Sequence, residues 1–186
     1  PISTLFPYTT LFRSCIVEKP IACEVRDWRL LCQLEARTKT KFAVGQQVRF
    51  QEYLKKCKHA LDSGRLGKLR FIDFSAGMNI AAQGTHMIDW AMFLNNDIPV
   101  TSVFGAVSGI DPDNTEHPAP EIAIAQVVFA NGVYGFWNAG STARRVLPDK
   151  ETWKHLRIGA YADEGHVLFE EFGKWEIVSA NNSGGS

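Results

Sequence analysis

Several things are scarce or missing in this sequence of 186 residues, and each scarcity excludes something. Neither sign of charge is in excess: Lys plus Arg and Asp plus Glu number 20 each. No basic field therefore draws the chain to nucleic acid or to an anionic membrane. No apolar run approaches the ~20 residues that a membrane-spanning helix needs. Cysteine is limited to Cys15, Cys23, Cys32 and Cys57, with no Cys-x-x-Cys pair and only His59 close to any of them. That spacing indicates neither a zinc site nor a disulfide framework, and no metal site is expected. Four scattered cysteines fit buried thiols in a reducing cytosol, so a cytoplasmic location is expected. A glycine-rich phosphate loop of the Gly-x-Gly-x-x-Gly type is also absent. Gly105 to Gly109 is no substitute, because it lies within a strand pattern and no helix follows.

What is present starts irregularly. Thr4 to Ser14, with Phe6-Pro7-Tyr8-Thr9-Thr10-Leu11-Phe12-Arg13, is too short and polar for a secretory signal and has no cationic start. The string resembles the translation of a common sequencing-library adapter, so residues 1–14 are expected to be a non-native extension. From Cys15 the pattern is globular. Ile16-Val17 reads as the end of a buried strand that Glu18-Lys19-Pro20 closes. An amphipathic helix spans Asp27 to Ala36, and a second buried strand runs from Phe42 to Val48, ending at Arg49. Glu52 to Asp62 is the next helix, terminated by Ser63-Gly64.

A strand from Leu69 to Ala76 and a loop from Gly77 to Gln83 follow. Gly84-Thr85-His86-Met87-Ile88-Asp89-Trp90 then opens a helix that ends at Asn95-Asn96-Asp97. Thr85 is a suitable N-cap, which predicts His86 in the first turn among unpaired N–H groups. The rest reads as strands: Pro99–Gly109, Glu121–Phe129, Gly132–Asn138, Lys154–Tyr161, His166–Glu170 and Lys174–Val178. Asn131-Gly132 marks a hairpin, and Asp111 to Pro120 a loop. Residues 181–186 read as a flexible tail. The chain thus begins strand–helix–strand–helix and continues as a mostly antiparallel sheet with one embedded helix. The later strands are apolar on both faces, and the helices are too few to cover both. A broad face carrying Ile122, Ile124, Val133 and Trp137 is expected to stay open and to seat a second copy of the chain.

Taken singly, His86 and Lys19 are ordinary: a buried structural histidine and a solvated lysine are the commoner fates. Their context is more specific. Glu18-Lys19-Pro20 after a strand, a segment ending in Arg49, then Ser63-Gly64-Arg65-Leu66-Gly67, then Gly84, His86 and Asp89 occur in a fixed order. This series resembles the glucose–fructose oxidoreductase/inositol dehydrogenase (Gfo/Idh/MocA) family of nicotinamide-dependent oxidoreductases, over roughly residues 16 to 180. The resemblance implies an α/β to α+β fold. Residues 15–48 would be the C-terminal remnant of a Rossmann-type dinucleotide-binding domain, and 49–180 an open β-sheet domain for substrate binding and oligomerisation, with helices on one face.

The resemblance further implies hydride transfer between NAD or NADP and a carbon bearing a sugar or cyclitol hydroxyl. Lys19 and His86 would be catalytic, the lysine stabilising a developing alkoxide and the histidine moving its proton. Glu18, Lys19 and Pro20 would line the cofactor, while Arg49, Gln83, His86 and Asp89 would meet the substrate. The part that holds the cofactor phosphates is expected to have been lost upstream, leaving this fragment inactive on its own. Many members carry an aspartate four residues before the histidine; here that place is Ala82, which cannot orient an imidazole. Two other functions fit the same scaffold: a glycosidase that uses bound nicotinamide to oxidise and re-reduce a sugar, and a non-catalytic oligomerisation or ligand-sensing domain. Asn79, Trp90, Trp137, Asn138, Arg144 and Arg145 are of types that suit a sugar pocket, though each alone is more often structural.

Overall fold

The computed structural model describes residues 14–110 and 119–179, and the backbone of 182–184. The adapter-like string as far as Arg13 and most of the 111–120 loop lie outside the described residues. The chain divides into two compact units, one ending at Gln46 and the other beginning at Gln47.

The first unit is a β–α–β crossover. Strand β1 (Ser14–Val17) pairs in parallel with β2 (Lys41–Val44), and helix α1 (Val25–Thr38) connects them. Two parallel strands require such a crossover, since a tight turn can join only antiparallel ones. The helix ends where Lys39 takes a left-handed conformation (φ 59°), its N–H donating to the carbonyl of Glu35. β2 is shorter than the sequence pattern implies. The Gly45 N–H donates to the Val17 carbonyl at 2.8 Å, and Gln47–Phe50 then wind into a 3₁₀ turn. Val48 and Arg49 therefore sit on a helical turn and not at a strand end. No residue of α1 is buried, and Trp28, Leu30 and Leu34 stay about half exposed. One helix on two strands offers too little surface to sequester such a stripe.

The second unit has a single layer of helices on one sheet. Helix α2 (Glu52–Asp62) leads to β3 (Leu69–Ala76), helix α3 (Thr85–Leu94) and β4 (Val100–Ser108). Then come β5 (Ile122–Phe129), β6 (Tyr134–Ala139), β7 (Leu156–Ala162), β8 (Gly165–Glu170), β9 (Trp175–Ser179) and β10 (Asn182–Gly184). The strand order is β10-β9-β8-β7-β3-β6-β5-β4; β3 and β6 run parallel and every other pairing is antiparallel. Asn182–Gly184, expected as part of a flexible tail, instead extend the sheet by pairing with β9. α2 stops where Gly64 adopts φ +75°, a conformation that a Cβ would strain. None of the described helices is long and apolar enough to cross a membrane.

Period-two alternation decides what each strand buries. Along β5, Ala123, Ala125, Val127 and Phe129 point to the helices and are buried, while Ile124 and Gln126 point away. Leu54, Cys57 and Ala60 of α2 and Met87, Trp90, Ala91 and Leu94 of α3 close over this face, against Ile72, Phe74, Trp137, Ile158 and Phe169. Each fully buried Leu, Ile or Phe contributes about 1.5–3 kcal/mol of hydrophobic stabilisation before entropy is counted. Val133 and Trp137, expected on the open face, belong to this core. The opposite face is open, but its apolar residues are Phe71, Phe104, Ile124, Tyr134 and Phe136, around a shallow depression of about 470 Å³. β4 is exposed along its whole length. Even Val103, on the helix side by its pairing with Val127, is 65% exposed, so the helical layer stops short of that edge.

Candidate functional site

The histidine is presented differently from the sequence expectation. Residues 77–83 are not simply a loop: Ile80–Gly84 form a π-helical turn that runs directly into α3. The start of the helical segment is therefore Asn79, whose side chain accepts from the Ala82 N–H at 2.8 Å. Thr85 lies inside the helical run and makes no cap, so His86 does not stand among the free N–H groups of a helix start. A widened π turn re-aims the side chains that follow it, and such turns concentrate at functional sites. Gly84 is required here by packing. A Cβ on it would come within 2.6 Å of Cζ2 of Trp137.

The α3 turn holding His86 is rigidly seated. His86 is 6% exposed, and its neighbours Met87 and Trp90 are fully buried; the Trp90 ring meets Phe169 at 5.0 Å. Gln83 donates from Nε2 to the carbonyl of Trp153 at 2.6 Å, tying the π turn to the segment before β7. That segment is itself braced by His155, which accepts the Val146 N–H at Nδ1 (3.3 Å) while its Nε2 lies 3.0 Å from the Asp149 carbonyl. Two oxygens on the residues leading into His86, Oε1 of Gln83 and Oγ1 of Thr85, are buried without a hydrogen-bond partner among the described residues. A buried oxygen without a partner carries a desolvation cost that a hydroxyl-bearing ligand relieves.

Arg49 and Asp89 come together, but on each other. Arg49 Nε donates to Asp89 at 2.9 Å and its Nη2 lies 2.8 Å from the second carboxylate oxygen. Asp97 at 3.4 Å and the face of Phe93 at 5.3 Å complete the surroundings of the guanidinium. Burial pushes the Asp89 carboxyl above its usual range, with Arg49 opposing. The pair fixes the 3₁₀ turn to α3. Other polar candidates are similarly engaged: Asn138 and Thr142 bond reciprocally at 3.1 Å, and Arg145 donates to the Asp149 carbonyl. Trp90 and Trp137 are core residues. Sequence reading missed Asn79 as a cap and His155 as a brace. An Asn two residues before Ala81-Ala82 was the available signal for the first, and none existed for the second.

In the first unit, Glu18-Lys19-Pro20 lie just past the carboxyl end of β1, and the Lys19–Pro20 peptide is cis. Burial pulls the Lys19 ammonium below its usual range, with Glu18 opposing. Ligands of parallel α/β sheets bind beyond the carboxyl ends of the strands, and Lys19 stands at such an end. No phosphate cradle occurs among the described residues of this unit.

No family model matches the chain. YteT of Bacillus subtilis (strain 168), which carries an oxidoreductase name, is 22% identical over 192 residues, covering 84% of this chain and 43% of that protein. Among solved structures, an inositol dehydrogenase homologue of Azotobacter vinelandii, complexed with NADH and myo-inositol, superposes with a TM-score of 0.74 at 9% identity. It is matched over 92% of this chain and 48% of that one. An oxidoreductase of Agrobacterium radiobacter, complexed with NAD+, L-tartaric acid and magnesium, gives 0.74 at 18% identity, over 92% and 53%. The WlbA dehydrogenase of Bordetella pertussis, with NADH and UDP-GlcNAcA, gives 0.70 at 17%, over 87% and 52%. The chain has the fold of these oxidoreductases and spans about half of their length.

Proposed function

We propose that this chain is part of an NAD-linked oxidoreductase that moves hydride between nicotinamide and a carbon bearing a hydroxyl of a sugar or polyol. The observation that carries it is the π turn that leads into His86, with the buried, unpartnered oxygens of Gln83 within it and of Thr85 at its end. The fold shared with NAD-complexed oxidoreductases supports the cofactor, and the myo-inositol and UDP-sugar bound by two of them support the substrate class.

A nicotinamide dinucleotide, when bound, would supply or accept the hydride. Glu18, Lys19 and Pro20 would hold its nicotinamide end, whether it is NAD or NADP. Lys19 offers a cation to the reacting oxygen, favouring its alkoxide character. His86 takes the hydroxyl proton during oxidation and returns it during reduction. Gln83 and Thr85 accept hydrogen bonds from neighbouring hydroxyls. Arg49 and Asp89 act by holding α3 against the 3₁₀ turn. Ala82 provides no carboxylate at that position. The uncovered sheet face seats a second copy, and exposed free thiols suit a reducing, cytoplasmic setting.

In the complete enzyme, His86→Asn is expected to lower kcat by about 10²–10⁴-fold with cofactor affinity unchanged. Unchanged turnover removes the histidine from the chemistry. Tight retention of cofactor without net NAD reduction points to the redox glycosidase instead.

A further inference from the structure

On the helix-covered side, at the edge away from β4, a groove of about 400 Å³ lies between α2 and β9. Glu52, Lys55, Lys56 and His59 line it from α2, spaced so that they share one face of the helix. Trp175 and Ile177, alternate residues of β9, supply the apolar part of the lining, and Arg65 adds a guanidinium. The groove is built. Tyr53 stacks on Trp175 at 5.0 Å with 15° between the rings, and Lys56 spans both rings while pairing with Glu52 at 2.8 Å. That pairing consumes the one carboxylate of the lining. Lys55, His59 and Arg65 form no ion pair among the described residues, although the chain as a whole has no net charge.

We propose that this groove binds a small planar anion, its ring against Trp175 and Ile177 and its acidic group held by Lys55, His59 and Arg65. The volume falls in the range of small-molecule sites. Aromatic and aliphatic lining favours a flat apolar body. Two full cations and an imidazole beside that lining favour a carboxylate or phosphate at one end. The groove is independent of the hydride-transfer chemistry and lies within the second unit.

The test uses the 186-residue chain itself, titrated by two-dimensional amide NMR with 2-naphthoate and with AMP. The neutral isostere 2-naphthalenemethanol and inorganic phosphate are the controls. At least one planar anion is expected to bind saturably below about 1 mM, shifting α2 and β9 resonances, with each control about tenfold weaker or worse. Lys55→Glu and Arg65→Ala, both at exposed positions, should each weaken it about fivefold or more while leaving the melting temperature unchanged. Raising the salt should also weaken it. Failure of both anions to saturate by about 10 mM overturns the proposal. So does equal binding of the neutral isostere, or shifts confined to other parts of the chain.

Discussion

Glu171 and Asp89 are partly buried carboxyls held above their ordinary range, because burial outweighs the help of Gln51 in one case and of Arg49 in the other. A folded-state pKa above the unfolded value means that the folded chain binds more protons between the two values. Stability therefore falls as pH rises through that window, from the ordinary carboxyl pKa to the raised one. Glu171→Gln, which keeps a partner for Gln51 (2.9 Å in the parent), should flatten this fall in melting temperature against pH. An unchanged slope would assign the effect elsewhere. The cysteines give a second check. They do not conform to the expectation of four buried thiols: Cys15, Cys23 and Cys32 are exposed, and only Cys57 is buried, with its thiol pushed up to about 12 by desolvation. A thiol reagent on the native chain should titrate three cysteines quickly and the fourth only on unfolding; a fast fourth thiol would place Cys57 at the surface. The sequence singled out Arg49, Gln83, His86 and Asp89 as candidates. Their partners were not legible in it, since a pairing such as Arg49 with Asp89 spans 40 positions and leaves no periodic trace.

Elements were read with uneven success, for physical reasons. α2 and β3 match their sequence bounds because a clear helical stripe and a glycine stop define the first, and turn residues flank the second. The π turn was read as loop because its residues, Ile80 to Gly84, carry no 3.6-residue period. β2 was read too long, since Val48 looks like one more strand residue until Gly45 turns the chain. The π turn also yields a prediction. Gly84→Ala drives a methyl into Trp137 and should cost about 1–3 kcal/mol, the usual range for overpacking. Chemical denaturation measures it, and a shift in tryptophan emission should accompany it. A variant as stable as the parent would show that the turn opens freely at this point. Trp137→Leu should relieve part of the cost if the indole is the obstacle.

At the scale of the molecule, the sheet leaves Phe71, Phe104, Ile124, Tyr134 and Phe136 uncovered, a patch that a monomer rarely leaves to water. Sedimentation at rising concentration is expected to show a self-associating chain, and Phe104→Glu to return it to monomer. A parent that stays monomeric at high concentration denies the sheet face this role. The parallel join at the middle of the sheet carries a different consequence, for synthesis. Ile72 sits between Gly135 on one side and Ala160 on the other, so β3 leaves the ribosome long before either neighbour exists. Local pairing cannot protect it, and long-range closure is slow. Until Tyr134–Ala139 and then Leu156–Ala162 arrive, the most central strand of the finished sheet is the most vulnerable strand of the nascent one, with both edges open to other chains. Translation that stalls between those two segments leaves one of those edges bare, and it is in this interval that a chaperone has most to shield.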